Sequence, residues 1–332
     1  MKNVLLIGGG GYVGTELQRH LVSLGYNVRV YDTFWYSRGQ WPKGSFPGSE
    51  RIEYLQGDVR NLNLIKKAFT NIDACIHLAC ISNDPSYELD PILAYKVNYE
   101  SFQELIPIVN SSRIRRFVFA SSSSVYGVKS EPNVTEDLSL EPLTDYSKYK
   151  VECEKLLFDN LSSDIVGTVL RPSTVCGYSR RQRFDLVVNI LTLSALRDGL
   201  IKVDGGDQFR PNLHMKDMLR SYSLVLQANP ELIDREIFNV AGENLTVNEI
   251  AQKVKQSIGP SIGIEYLPVK DARSYRVSGD KIKRTLDFEP KYTVEDAISD
   301  ISNSYKNGEY GDTNWTEYYN LRLMRELLSS EI

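Results

Sequence analysis

Residues 1–32 read MKNVLLIGGGGYVGTELQRHLVSLGYNVRVYD, and their order decides the fold. An apolar run at 4–7 meets glycine at once, a helical pattern follows over 14–24, and a second apolar run at 28–31 closes on Asp32. Gly8, Gly11 and Gly14 form G-x-x-G-x-x-G directly after the first predicted strand. Glycine there permits a tight turn, close approach of a pyrophosphate and close helix–strand packing. The helix that begins at this point presents free N–H groups and a partial positive charge to the phosphates. Asp32 lies 18 residues beyond Gly14. A carboxylate there accepts from both ribose hydroxyls of NAD and repels the extra phosphate of NADP, whereas Arg38 and Lys43 soften that preference. The alternative for Asp32 is a turn or cap residue.

Outward from this unit, runs at 52–55, 74–78, 117–120 and 165–170 read as further strands, mostly apolar on both faces, with a helical stretch at 62–69. Such alternation predicts an α/β fold: a Rossmann-type, doubly wound parallel sheet covered by helices on both faces. Six strands make such a sheet complete. Beyond residue 171 the alternation weakens, and 184–197, 215–227 and 247–257 look helical between Gly- and Pro-containing turns. The expected division is a dinucleotide-binding domain over 1–171 and a smaller mixed α/β C-terminal substrate lobe over 172–332, with segments near 211–245 returning to the first. The tail from 315 to 328 has helical spacing and is expected to pack on the body or on a second subunit.

Composition narrows the function. With 332 residues, of which 42% are hydrophobic and 25% charged, the chain has the material for roughly two soluble domains. A net charge of −4 offers no broad basic field, which excludes nucleic acid as the main partner. Four cysteines at 75, 80, 153 and 176 form no CxxC pair and no metal-ligand spacing, so no metal is expected. Cys75 and Cys80, in or just after an apolar run, read as small hydrophobes, with a reactive thiol as the alternative. The first apolar run is too short for a signal peptide and no run of 18 apolar residues follows, so the expectation is a cytoplasmic protein without a membrane span. Tyrosine numbers 20 and histidine only 3, which favours a phenolic or carboxylic proton shuttle over imidazole.

Tyr146 and Lys150 supply that shuttle. On a helix their i,i+4 spacing places both on one face, and a nearby ammonium with an oxidised nicotinamide lowers the phenol toward working pH. Such a tyrosine takes a hydroxyl proton while hydride leaves the same carbon. Ser122, just after the fifth strand, is placed to hold the same oxygen, with Ser121, Ser123 and Ser124 competing by proximity. Asp58, at the end of the third strand, accepts from the adenine amino group or caps the helix before Leu62.

Together the glycine pattern, HLAC at 77–80, SSSSVYG at 121–127, YSKYKVECE at 146–154 and LRPSTVCG at 170–177 resemble the extended short-chain dehydrogenase/reductase family. More narrowly they resemble its NAD-dependent sugar-nucleotide epimerase/dehydratase branch, of the UDP-glucose 4-epimerase type. RPNLHMKD at 210–217, FNVAGENLTVNEIA at 238–251 and RSYRVSGDKIKRTLDFEP at 273–290 extend the likeness. The resemblance implies that Tyr146 is the catalytic base and acid, that Lys150 is its partner and holds the nicotinamide ribose, and that Ser122 is the catalytic serine. It also implies NAD contacts from Tyr12, Val13, Val59, Leu78, Ala79, Asn98 and Pro172. Arg210 and Arg273 match positions that meet the nucleotide diphosphate, with surface salt bridges as the alternative, and His214 matches a structural histidine. A homodimer through helices near 94–110 and 147–160 is implied as well.

Departures shape the substrate expectation. Dehydratases carry an acidic pair after the catalytic serine, where this chain has Ser123 and Ser124, so dehydration is disfavoured. Thr174 stands where 4-epimerases often have asparagine, and Ser82 where some have lysine. Ser82 and Asn83 are expected to face the sugar, as are Ser123, Ser124 and Thr174. The stretch SRRQRFDLVVN at 179–189 resembles a subgroup of heptose-nucleotide 4-dehydrogenases and surface-polysaccharide epimerases, which makes Arg183 and Asn189 candidates for diphosphate contact. The expected activity is NAD-dependent 4-epimerisation of a nucleotide sugar through a transient 4-keto sugar. Net C4 oxidation or reduction of a hexose or heptose is the first alternative, ahead of a 4,6-dehydratase and a non-catalytic NAD-binding scaffold.

Overall fold

The apolar runs of the first half become parallel strands because both their faces are covered. The computed structural model describes residues 1–37, 46–82, 84–268 and 273–329. In it β1 (Asn3–Ile7), β2 (Asn27–Asp32), β3 (Ile52–Gln56), β4 (Ala74–His77), β5 (Arg116–Ala120) and β6 (Val166–Pro172) match the expected runs to within a residue or two. Further along come β7 (Thr174–Cys176), β8 (Leu200–Asp204), β9 (Phe209–His214), β10 (Glu236–Val240), β11 (Asn244–Thr246) and β12 (Gly263–Leu267).

The main sheet runs β3-β2-β1-β4-β5-β6-β10, every neighbouring pair parallel. It therefore holds seven strands, not the six expected. The seventh, EIFNV at 236–240, follows helix Met215–Gln227, which packs against helix Tyr12–Ser23 and carries the chain back from the second lobe. Arg116 fastens that return by donating to the Val225 and Ala228 carbonyls. The strand order reverses between β1 and β4, which opens a crevice at their carboxyl ends. Gly8 makes the crevice possible: its φ is +84°, and a Cβ on it would stand 2.4 Å from the Ala79 nitrogen beyond β4.

The second lobe pairs β9 with antiparallel β11 and parallel β7, and β12 with β8. Its apolar core gathers Val188, Leu191, Ile201, Val203, Ile250, Val254 and Ile298. The helix expected from 184 starts only at Val187, since the Phe184 N–H donates to the Tyr318 carbonyl and Leu186 is extended. The tail is likewise interrupted: Tyr319 is extended (φ −129°, ψ 101°), and helix Asn320–Ser329 follows.

A buried polar network joins the sheet to helix Asp145–Asn160. Glu154 accepts from Arg171 Nε at 3.0 Å and Nη2 at 2.5 Å and from the Ser121 hydroxyl, while Arg171 Nη1 donates to Tyr126 Oη (2.8 Å). Tyr126 donates onward to Asn239 of β10 (2.7 Å). Both charged side chains are almost wholly buried. Removing one partner leaves the other charge unpaired in the interior, so Arg171→Ala is expected to cost about 3–5 kcal/mol, read by denaturant unfolding. A loss under about 1 kcal/mol, the range of an exposed pair, would show that the network does not lock the helix.

Candidate active site

One crevice cavity is lined by the glycine loop, the ends of β2, β3 and β4, and residues of helix Asp145–Asn160. Gly8, Gly11, Tyr12, Val13, Gly14, Asp32, Asp58, Val59, Leu78, Ala79, Tyr146, Lys150 and Pro172 all line it, as do Ser82 and Arg183. The cradle fits a dinucleotide. A Cβ on Gly14 would stand 2.6 Å from Gly9 backbone atoms, whereas one on Gly11 would meet only the Gly8 carbonyl at 3.6 Å, so the loop surface there is open. Gly11 caps helix Tyr12–Ser23 without a side chain, which leaves first-turn N–H groups directed at the cavity.

Asp32 sits at the end of β2, where Oδ2 accepts from the Gly10 N–H (2.8 Å) and Oδ1 from the Phe34 N–H (2.7 Å). Each oxygen keeps a further acceptor site. Burial pushes its carboxyl above the ordinary value, against the pull of those two N–H groups. Asp58 accepts from the Arg60 backbone and guanidinium (2.6–2.9 Å). It is not the cap of helix Leu62–Ala68: Asn61 is, its side chain accepting from the Leu64 N–H. Arg38, Lys43 and Asn83 lie outside the described residues.

Helix Asp145–Asn160 brings Tyr146 and Lys150 together. Thr144 caps it by accepting from the Ser147 N–H (3.3 Å) and donates to Asp84 (2.5 Å). Lys150 Nζ donates to the Ala120 carbonyl (2.7 Å) and lies 5.8 Å from the Tyr146 ring centroid. Ser122 stands beside the Tyr146 phenol and pulls its pKa down, while its hydroxyl hydrogen-bonds that of Ser124 (2.9 Å). The four serines separate by what they touch. Ser121 turns to Glu154, Ser123 meets Tyr275 Oη at 3.4 Å, and Ser124 bridges Ser122 (2.9 Å) and Ser147 (2.7 Å). Only Ser122 acts on the phenol, whereas of the four serines Ser121 alone lines the cavity.

The expected depression of the Tyr146 phenol rests on an oxidised nicotinamide as well as on Lys150, and the protein's own groups set the phenol the other way. Burial pushes it well above its ordinary value, the Cys80 and Asp84 groups add to the rise, and Arg183 and the Ser122 hydroxyl oppose it. Lowering it therefore requires a positive charge brought into the cavity.

Other expected contacts fall elsewhere. Asn98 lies beneath the loop after β4, accepting from the Ile81 N–H (2.7 Å) and donating to the Ile81 carbonyl (3.0 Å). Asn189 is fully buried; it accepts from the Gly177 N–H and donates to the Arg183 carbonyl and Tyr12 Oη, so no diphosphate reaches it. Thr174 opens β7 outside the cavity, and Val175 lines it instead. Arg210 donates to the Arg273 carbonyl, and Arg273 donates to Asp84 (2.7 Å); neither lines the cavity. His214 is structural: Nδ1 accepts from the Lys216 N–H, Nε2 faces Asp300 at 3.3 Å, and the ring stacks on Tyr292. Cys75, Cys153 and Cys176 are buried, whereas Cys80 is half-buried and lines the cavity, a place its apolar context did not reveal. Tyr36, Arg181 and Asn320 also line it and were not anticipated. The run SRRQR holds three arginines that sequence alone does not distinguish.

A family model described as NAD dependent epimerase/dehydratase matches residues 4–241. The UDP-glucose 4-epimerase of Lactobacillus helveticus is 27% identical over 326 residues, 89% of this chain and 94% of that one. The probable UDP-arabinose 4-epimerase 3 of Arabidopsis thaliana is 23% identical, covering 88% of this chain and 78% of that protein. Among solved structures, the UDP-glucuronic acid 4-epimerase from Bacillus cereus in complex with UDP-glucuronic acid and NAD is similar at TM-score 0.81 and 25% identity, over 92% of this chain and 99% of that one. MoeE5 in complex with UDP-glucuronic acid and NAD is similar at TM-score 0.79 and 25% identity, with the same coverage.

The position of the phenol is measurable by ultraviolet titration of wild type against Tyr146→Phe. Without ligand, the difference between the two is expected to show no phenolate below about pH 10, and saturation with NAD to move the step to lower pH. A Tyr146 step below about pH 10 in the free protein would contradict the burial argument.

Proposed function

Because the chain belongs to the NAD dependent epimerase/dehydratase family, we propose that it is an NAD-dependent nucleotide-sugar 4-epimerase. The observation that carries this reading is that Tyr146, with Ser122 beside it and Lys150 Nζ 5.8 Å from its ring centroid, shares a cavity with the glycine loop and Asp32. Both curated relatives described above are 4-epimerases by name, and the chain covers most of the length of each.

In this reading Tyr146 takes the proton of the sugar 4-hydroxyl while Ser122 holds the same oxygen. Lys150, anchored on the Ala120 carbonyl, stands where its charge favours the phenolate. When bound, NAD supplies a reversible two-electron acceptor. Asp32 receives the ribose hydroxyls on its remaining acceptor sites, and the first turn of helix Tyr12–Ser23 receives the diphosphate. Tyr146 then returns the proton once the 4-keto sugar has turned its other face, so the reaction ends without net redox change. A dehydratase would need an acid beside Ser122, and Ser123 and Ser124 are hydroxyls engaged with Tyr275 and with Ser122 and Ser147.

We extend the reading to a homodimer built on the helices that carry Tyr95, Tyr99 and Tyr149. These rings cluster half-buried, and Ile92 beside them is 70% exposed, a surface suited to a second copy. The same reading assigns the protein to cytoplasmic supply of surface-polysaccharide precursors, by analogy. No helix among the described residues is long and apolar enough to cross a membrane.

The test is incubation of the protein with UDP-, GDP-, CDP- and dTDP-sugars, following NADH by absorbance and the sugar by NMR. A new C4 diastereomer without net NADH is expected for one of them. Stoichiometric NADH with a 4-keto product would replace the epimerase with a dehydrogenase. Tyr146→Phe is expected to lower turnover by about 10²–10⁴ while NAD binding persists, and unchanged turnover would overturn the mechanism.

A further inference from the structure

The three arginines of SRRQR face three different environments. Arg180 pairs with Glu16 on the surface. Arg183 holds Asp185 through Nε (2.8 Å) and Nη2 (3.2 Å). Arg181 is 8% exposed, lines the cavity, and among the described residues its guanidinium hydrogen-bonds no carboxylate. Its Nη2 donates to Asn320 Oδ1 (2.6 Å), its central carbon lies 4.4 Å from the centroid of the Tyr36 ring, and among the described residues its Nε has no hydrogen-bond partner. The Tyr36 hydroxyl, in the same wall, is also buried without a partner among the described residues. A buried guanidinium with a free N–H costs free energy unless an anion meets it. Burial and the neighbouring Arg183 already pull its pKa down to about 10.

The backbone around Arg181 says which anion. Ser179 Oγ donates to the Tyr12 carbonyl (2.7 Å) and accepts from the Arg181 N–H (3.2 Å), and Tyr12 Oη donates to the Gly177 carbonyl (2.8 Å). Residues 177–181 are thus clasped to the first turn of helix Tyr12–Ser23, whose free N–H groups face the cavity. The C-terminal helix completes the arrangement. Asn320 donates from Nδ2 to Ser82 Oγ (2.8 Å) and from its backbone to Asp185 Oδ2 (3.1 Å), while Met324 is buried in the core of the dinucleotide-binding sheet.

We propose that Arg181 binds the diphosphate of the dinucleotide opposite the glycine loop, and that Asn320 of the C-terminal helix is the residue that positions it. This rests on the NAD reading above. It adds the end of the chain, which the family model does not reach, to the cofactor site.

The experiment measures the NAD dissociation constant of the full-length protein by calorimetry, with UDP as a second probe and thermal unfolding as the check on folding. Arg181→Gln is expected to weaken NAD at least about tenfold, as loss of a charge-assisted hydrogen bond does, and to leave UDP within about threefold. Asn320→Ala is expected to weaken NAD in the same direction, and Asn320→Gln, whose amide oxygen still accepts from the guanidinium without adding a charge, to keep most of the affinity. The double variant Arg181→Gln/Asn320→Ala should bind no more weakly than Arg181→Gln alone, because one residue acts through the other. Wild-type affinity in a folded Arg181→Gln overturns the proposal, and so does a loss confined to UDP, which would move Arg181 to the nucleotide-sugar diphosphate. If Arg181→Gln fails to fold, the Asn320 pair decides: equal NAD affinity in the alanine and glutamine variants overturns it. A wild type that binds no NAD removes the cofactor reading itself, and the proposal with it.

Discussion

The site depends on the ion pair between Glu154 and Arg171, because the helix that carries Tyr146 buries Ser147, Lys150 and Glu154 among its apolar contacts. Its buried residues are Ser147, Lys150, Cys153 and Glu154 beside Val151 and Leu157. Apolar packing is non-directional and tolerates sliding; a carboxylate gripped at two nitrogens does not. A slip of one turn would leave two unpaired charges in the interior, a cost of several kcal/mol. The pair therefore fixes the register of the helix more than it adds stability. From that register follow Lys150 on the Ala120 carbonyl and Tyr146 beside Ser122. Ser121, next to Ser122 in sequence, is drawn into the same pair by its hydrogen bond to Glu154.

Burial drives three ionisable groups of the cavity wall toward their neutral forms, Tyr146 and Asp32 upward and Arg181 downward. Asp58 and Arg183, paired with Arg60 and Asp185, are instead held toward their charged forms. A cavity so arranged is electrostatically incomplete, and a ligand with an anionic centre and a cationic ring supplies the missing charges. On the proposed reading the phenol, raised by burial, becomes a base only beside the positive charge of the cofactor. Proton abstraction is in this way tied to the presence of the acceptor of the electrons.

How much of this was legible depended on range. The glycine pattern, Asp32 and the first six strands were readable because each is a local consequence of side-chain type and spacing. Tyr146 and Lys150 were readable because i,i+4 on a helix is a local rule. The seventh strand was missed because EIFNV is five residues long and gains its place only when helix Met215–Gln227 returns the chain to the sheet. Asn61 and Asp58 lie three residues apart and both suit a cap, so only backbone geometry separates them. Asn98 and Asn189 satisfy buried backbone groups, a role decided by what folds against them. Arg181 differs from Arg180 and Arg183 by nothing in its type; Asn320 and Tyr36 distinguish it, from 139 residues after and 145 before.

That distance has a structural reason. Tyr319 belongs to the cluster around Phe184 and Tyr310, and Met324 to the cluster under the dinucleotide sheet. Asn320 stands where the chain passes from the one to the other. Its side chain meets Arg181 and Ser82 and its backbone meets Asp185, so the seam between the two bodies and the wall of the cavity coincide. Doubly wound sheets place ligands at such seams, where the strand order reverses and a second body closes the crevice. Here the closing piece, helix Asn320–Ser329, lies beyond the last strand of the described residues, so a wall of the cavity depends on a contact 139 residues away from Arg181 in sequence.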